Sequence, residues 1–291
     1  MLDLNTMGQR ARRAAALIAA DDTAFAIDNA ALAITWAGHI VARLSPGRSL
    51  IEPRIRPDPA LDTLNAGDRE RVVNRIEQWF ATILQRPLAP LFAMTESASD
   101  LFTPARVRAL LAPLAAGGGI ADRNSVDAAL ITLDPDDRRI LRAAGLTVGT
   151  LDLYDPRLLK PDALRLIAVL SAVQSKSACP PMPPPGATVT KLTEPLPGYR
   201  AFGATQVRID LVERVARALH DKRRSSDGFI PDPALATSFG IDPATFTAIL
   251  RACGFRAGND GEWRWRSRPR ARPDPPKPRS PAFAALAGWR A

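Results

Sequence analysis

A chain of 291 residues has room for two or three modest folding units, and 46% hydrophobic residues supply enough apolar surface for real cores, which excludes a protein disordered as a whole. The net charge of +9 and a pI near 10.4 favour anionic partners, with nucleic acid ahead of membrane because no long apolar run is present to span or anchor in a bilayer. Two cysteines, Cys179 beside a proline run and Cys253 in an apolar helix, fit no metal or redox spacing, and His39 and His220 stand too far apart in sequence to complete a zinc site, so neither a disulfide framework nor a cofactor is expected.

Met1-Leu2-Asp3 lacks the basic start and apolar core of a signal peptide, and a cytoplasmic chain is expected. Residues 1–22 read as an amphipathic helix or lead-in, with Arg10, Arg12 and Arg13 ahead of an alanine-rich run. Phe25-Ala26-Ile27, Ala33-Ile34-Thr35-Trp36 and His39-Ile40-Val41-Ala42-Arg43-Leu44 are strand-like runs separated by Asp28-Asn29 and Ala37-Gly38, which predicts a small antiparallel β-meander within 23–59. Ser45 to Pro59 reads as an extended, proline-punctuated connector, its Arg48, Arg54 and Arg56 more simply solvated than bound to phosphate.

A helical scaffold is expected over 60–178. Val72, Val73, Ile76, Trp79, Phe80, Ile83 and Leu84 recur at helical spacing after Asn65, and Pro87 and Pro90 kink or end that helix. Leu88, Leu91, Phe92 and Met94 read as core. Thr103-Pro104 opens a helix through Leu114 that Gly117-Gly118-Gly119 ends; this glycine run lacks the Lys-Ser/Thr of a phosphate loop and reads as a hinge or helix stop. Helices follow over about 125–132 and 134–143, the second capped at Asp134-Pro135, where Asp134, Asp136 and Asp137 read as capping carboxylates rather than metal ligands. Leu146 to Tyr154 alternates as a strand does, and Lys160-Pro161 opens a further helix carrying Leu164, Ile167, Ala168, Leu170 and Val173.

Pro180 to Pro185 marks the clearest boundary, so 179–198 is read as a stiff linker and 199–266 as a winged-helix-like module. In that module Val207, Ile209, Leu211, Val212, Val215, Ala216 and Leu219 give a helix an apolar stripe with a basic outer side. A short segment from Asp232 to Phe239 follows, then Gly240, then a helix with Asp242 as N-cap and Pro243 at its first position. Phe246, Ile249, Leu250 and Cys253 point that helix inward, and Gly254 stops it. Phe255 to Ala257 and Trp263 to Arg266 then flank the turn Gly258-Asn259-Asp260-Gly261, predicting a hairpin. Residues 267–291 read as a disordered basic tail of arginines, lysine and prolines, with Phe283 to Trp289 as a short apolar end. The fold class expected is mainly α: a helical scaffold with a small N-terminal β-meander and a C-terminal winged-helix-like module.

Phosphate contacts are expected from Arg208, Arg217, Arg223, Arg224, Arg251, Arg256, Arg264 and Arg266, with Trp263 and Trp265 available to stack on unpaired bases. Because a strand alternates faces, one tryptophan is expected to pack on the module's core while Arg264 and Arg266 point the other way. The motifs of a phosphate loop, an Asp-Glu-x-His box, a Gly-x-Ser-x-Gly elbow and a His-Glu-x-x-His pair do not occur in the chain, and no catalytic or metal-binding residue is expected.

Four phrases together carry a family likeness: Ile34-Thr35-Trp36-Ala37-Gly38-His39-Ile40-Val41-Ala42-Arg43-Leu44, Pro87-Leu88-Ala89-Pro90-Leu91-Phe92-Ala93-Met94, Leu158-Leu159-Lys160-Pro161, and Tyr199-Arg200-Ala201-Phe202-Gly203 through Val207 to Arg214. In order and rough spacing they resemble the C-terminal, post-motor region of bacterial helicases related to the mitochondrial-degradosome superfamily-two RNA helicases. The likeness spans most of 23–266 and departs at Thr147 to Thr150, where the family tends to have arginine and an aromatic residue. It implies an accessory region whose ATPase motor lies elsewhere. A non-catalytic protein is therefore expected, binding RNA or DNA without sequence preference, with a helicase motor or nuclease in trans as a further expected partner and no membrane partner. Two other readings stand beside it: an adaptor that docks a helicase or nuclease through its scaffold and the 283–289 end, and a winged-helix transcription regulator reading duplex through Thr245, Thr247, Ala248 and Arg251.

Overall fold

Apolar residues at helical spacing are the commonest pattern in this chain, and the fold follows them: the computed structural model, which describes residues 4–222, 228–258 and 261–266, is mainly helical with several small antiparallel sheets. Arg223, Arg224 and the 267–291 tail lie outside the described residues. Among those described, no helix is long and apolar enough to cross a membrane.

Helix α1 (Leu4–Ile18) buries Ala14 and Leu17 in the main hydrophobic core. The meander follows as β1 (Phe25–Asp28), β2 (Ala33–Trp36), β3 (His39–Ser45) and β4 (Arg54–Pro57), antiparallel in that order. Ala37 and Gly38 both take positive φ, 48° and 79°, as the tight turn between right-twisted strands requires. Ile34, Ala42 and Leu44 line the inner face, and Phe25 meets Trp79 with ring centroids 5.4 Å apart. The fourth strand was not expected. It comes from the stretch read as a connector, where Arg-Ile-Arg-Pro is too short to signal a strand alone, and Pro57 is tolerated because β4 is the edge.

Helix α2 (Ala66–Gln85) is capped by the Asn65 side chain, which accepts from Asp68 N–H, and buries Val72, Ile76, Trp79, Phe80 and Leu84. It leads into α3 (Ala89–Ser99), α4 (Ala105–Ala116), α5 (Arg123–Ile131) and α6 (Pro135–Ala143), the last with a full capping box between Asp134 and Asp137. The expected strand over 146–154 is two short strands, β6 (Thr147–Val148) and β7 (Asp152–Tyr154), and β7 pairs also with β5 (Ile120–Asp122). The glycine run before β5 is a tight helix exit: a Cβ on Gly119 would lie 2.1 Å from Leu158 Cδ1, and Gly119 has φ 83°. Helix α7 (Pro161–Ser175) buries residues around its whole circumference, including Leu164, Leu166, Ile167, Val169, Leu170 and Val173, which makes it the central helix of the scaffold.

Beyond the proline run, Val189–Thr190 forms β8 and pairs with β10 (Thr205–Arg208), whose other neighbour is β9 (Tyr199–Phe202). The later part of the 179–198 stretch is therefore bonded to β10. Buried Gln206 accepts from Leu196 N–H at 3.1 Å and donates to the carbonyls of Leu192 and Glu194, each at 2.7 Å. Helices α8 (Ile209–Lys222), α9 (Pro233–Ser238) and α10 (Pro243–Ala252) and the hairpin β11 (Phe255–Ala257) and β12 (Trp263–Trp265) build a second core around Val207, Val215, Leu219, Ile249 and Phe255.

This second core includes Leu151 of the scaffold, and Ile209 joins Tyr154, Leu159 and Leu164 in a third cluster. Polar contacts fix the same junction. Arg200 donates to Asp152, to Asp122 and to the Leu151 carbonyl, and the Glu213 carboxylate accepts from Thr150 N–H at 2.6 Å. Arg123 closes the junction from the scaffold side, bonding Asp127 at 2.6 Å and the Gly149 carbonyl at 2.7 Å.

Candidate nucleic-acid interface

The expected site residues separate into groups that the tertiary structure treats differently. Arg208, at the end of β10, is an internal strut. Its Nε and Nη2 bond Asp210 at 2.7 and 2.9 Å, its side chain is 18% exposed, and hydrogen bonding to Asp210 raises its pKa above the ordinary arginine value. It lines a cavity of about 210 Å³ with Leu159, Leu164, Met182 and Tyr199, and its charge is balanced locally. Arg217, one turn after Glu213 on α8, is mostly exposed and reaches Glu213 only at 3.9 Å. Glu213 is held elsewhere by Thr150 N–H, so Arg217 keeps most of its freedom.

The remaining described arginines converge on the end of α10 and the hairpin after it. Asp242 caps α10, accepting from Thr245 N–H at 2.9 Å and Thr245 Oγ1 at 2.6 Å, bonds that hold the Asp242 carboxyl below its usual pKa. This cap starts a helix that carries exposed Arg251 into its last turn. Gly254, at φ 94°, then turns the chain into β11. In the β11–β12 register Phe255 faces Trp265, Ala257 faces Trp263, and Arg256 stands directly opposite Arg264. Period-two alternation therefore sends Phe255, Ala257 and the tryptophans to one face and the two arginines to the other.

Both tryptophans thus lie on the core side, at different depths. Trp263 is half-buried against the second core, and its backbone makes a two-way bridge with Phe229, at 3.0 and 2.8 Å. Trp265, nearer the rim, is 41% exposed and lies edge-on to His220 with centroids 6.3 Å apart. Of the two, Trp265 has the surface to meet a base.

On the outer face Arg256 Nη1 donates to the carbonyls of Arg251 and Phe255, at 3.1 and 3.0 Å, which draws its guanidinium toward the end of α10. Arg266 follows the strand and is exposed, its N–H bonding the Gly254 carbonyl at 3.0 Å. Of Arg251, Arg256, Arg264 and Arg266, only Arg264 has a carboxylate partner among the described residues, Glu262 at 3.4 Å with both side chains largely in water. Such a pair contributes little. The result is a set of exposed cations on the end of α10 and the outer face of the hairpin, a charge pattern of the kind that meets phosphates.

Thr245, one of the residues a duplex-reading helix would present, is 3% exposed and committed to its cap; Thr247 and Ala248 are half-buried. Arg214 reads from the sequence as part of the basic outer side of α8 and not as a phosphate contact; its guanidinium lies 5.3 Å from the Phe239 ring centroid, a contact between α8 and the end of α9 that the sequence does not signal. Two of the resemblance phrases, around Pro87-Leu88-Ala89-Pro90 and Lys160-Pro161, meet at a cavity of about 570 Å³ lined by Arg86, Arg157 and Lys160; Arg157 is bound to buried Asp155, and Asp162 stands among them. Among the described residues no group of three or more His, Cys, Asp or Glu is placed to hold a metal ion. Comparison with protein-family models, with curated proteins and with solved structures finds no match to this chain.

Proposed function

We propose that this chain is a non-catalytic nucleic-acid-binding accessory protein, similar in role to the region that follows the motor in the helicases it resembles, and that its winged-helix-like C-terminal module grips RNA or DNA through phosphates. The observation that carries the reading is Arg256 directly opposite Arg264 on the outer face of the hairpin, beside Arg251 and Arg266. Like charges facing each other across a ladder destabilise it, so the arrangement makes sense where a polyanion completes it. Buried, cap-bound Thr245 favours phosphate grip over base reading by α10.

Fluorescence anisotropy with labelled single-stranded RNA, single-stranded DNA and duplex, over a salt series, tests the proposal. Engagement of roughly three to five phosphates gives a log-affinity against log-salt slope of about −2 to −4 for a single strand. Absence of binding at low salt would refute it, and ATP turnover by the pure chain would refute its non-catalytic part. The adaptor reading keeps one observation of its own, Leu101 and Phe102 at 82% and 97% exposed in the turn between α3 and α4. Capture of a purified helicase motor or nuclease that Phe102→Ser abolishes, without RNA binding, would favour it.

A further inference from the structure

We infer that the outer face of the N-terminal meander is a second nucleic-acid contact, taking the phosphates of a single strand through Arg43, Arg54 and Arg56. The inference rests on the proposed function and adds a surface remote in sequence from the hairpin. In the β3–β4 register Arg43 stands directly opposite Arg56, and Arg54 opposite Ser45; all three arginines are exposed. Directly opposed side chains have Cβ atoms about 5 Å apart. Arg54 and Arg56, two residues apart on one strand, sit about 7 Å apart along it on the same face. Three guanidinium groups in that footprint match a run of closely spaced charges of the opposite sign.

The local bonding leaves these charges available. Arg56 Nε donates to Ser45 Oγ at 3.2 Å, which aims the side chain across the face and leaves its terminal nitrogens without a carboxylate partner among the described residues. Arg43 and Arg54 likewise make no ion pair there with a described carboxylate. The acid in the same row, Asp28 on β1, is two strands from Arg43, about 10 Å away, and its Oδ1 accepts from the N–H groups of Ala30 and Ala31. Natural sheets do place charge on edge strands to block edge-to-edge pairing, and β4 is an edge. That role accounts for Arg54 and Arg56 but not for Arg43, which lies on interior strand β3 opposite a like charge. The hairpin arginines Arg256 and Arg264 show the same unfavourable opposition. A lipid surface is the poorer partner, because none of the large exposed apolar residues lies in the meander. The occupant is therefore a single-stranded RNA or DNA segment held by its backbone.

The test uses the full chain, a labelled oligouridylate and a salt series. Three variants are compared with the wild type: Arg43→Gln/Arg54→Gln/Arg56→Gln, the corresponding triple lysine replacement, and Arg43→Glu alone. The glutamine variant is expected to bind at least tenfold more weakly and to lose about 2 units of salt slope, three contacts at roughly 0.7 each. The lysine variant is expected to stay within about threefold of wild type, because charge rather than fork geometry serves a backbone contact. Arg43→Glu sets a carboxylate opposite Arg56, so its thermal midpoint is expected to hold or rise while binding weakens, which separates loss of contact from loss of fold. Absence of wild-type binding overturns the proposed function and this inference together. Wild-type binding with an unchanged slope in the glutamine variant overturns the meander contact alone. Displacement of the oligouridylate by polyglutamate or anionic vesicles at equal charge, lost in the glutamine variant, overturns the assignment to nucleic acid.

Discussion

Arg200 joins the two cores, and Arg200→Met tests the account of that junction because it keeps most of the apolar stem while removing the charge. In the folded chain Arg200 bonds Asp152 at 3.1 and 2.8 Å, Asp122 at 2.7 Å and the Leu151 carbonyl at 2.8 Å. The Asp152 side chain is 9% exposed; burial raises its pKa, and the hydrogen bonds and charge of Arg200 oppose that rise. Removing one member of a fully buried pair costs roughly 3–5 kcal/mol. Arg200 keeps 22% of its side-chain exposure and Asp122 keeps 45%, so solvent screens part of the loss and about 2–3 kcal/mol is expected. Without Arg200 the Asp152 pKa rises further. A raised folded-state pKa means that the folded chain holds the proton more readily than the unfolded one, so the cost of the substitution is complete at neutral pH and shrinks as pH falls through that pKa. Urea unfolding of wild type and variant, at about pH 7 and again nearer the ordinary carboxylate range of about pH 4, reads this difference. Asp152→Asn in the Arg200→Met background is expected to recover part of the loss. A cost that is equal at both pH values, or below about 0.5 kcal/mol, would refute the buried-pair account.

Glu213→Ala removes the acceptor of Thr150 N–H across the same junction and is expected to cost about 1–2 kcal/mol, with faster amide exchange at Thr150. Phe255→Ala empties a fully buried site between α10 and the hairpin and is expected to cost about 3–5 kcal/mol in urea unfolding. A thiol reagent applied to the native chain is expected to modify Cys179 well before Cys253, as read by peptide mass mapping: burial pushes the Cys253 thiol up to about 12, while Cys179 is half-buried. Arg256→Thr relieves the opposition to Arg264 and is expected to stabilise the module by a few tenths up to about 1 kcal/mol while weakening RNA binding, so opposite shifts in thermal midpoint and affinity should appear together.

Much of the helical content is legible from local chemistry. The caps at Asn65, Asp134 and Asp242, the prolines at first helical positions and the 3.6-residue apolar spacing act within a few residues of one another, and the helices stand where those signals place them. The same locality makes the Arg256–Arg264 face readable, since strand alternation and a Gly-Asn-Asp-Gly turn set it. The small strands are not legible in this way. β4, β5 and β8 are two to four residues long, too short for a period to show, and each exists because a partner strand outside its own segment supplies its hydrogen bonds.

The division of the arginines follows from the same limit. Arg200, Arg208 and Arg256 look alike as letters, and all three are basic residues in short strands. The folded chain gives them different partners: Asp152 and Asp122 come from the scaffold to hold Arg200, Asp210 takes Arg208, and Arg256 meets backbone carbonyls and another arginine. Residue type and spacing set where charge and helix occur along the chain, because propensity, capping and periodicity are local. Arg208 is neutralised locally, by Asp210 two residues on, whereas Arg200 is neutralised by partners about 50 to 80 residues away, whose approach depends on burial of the shared cores.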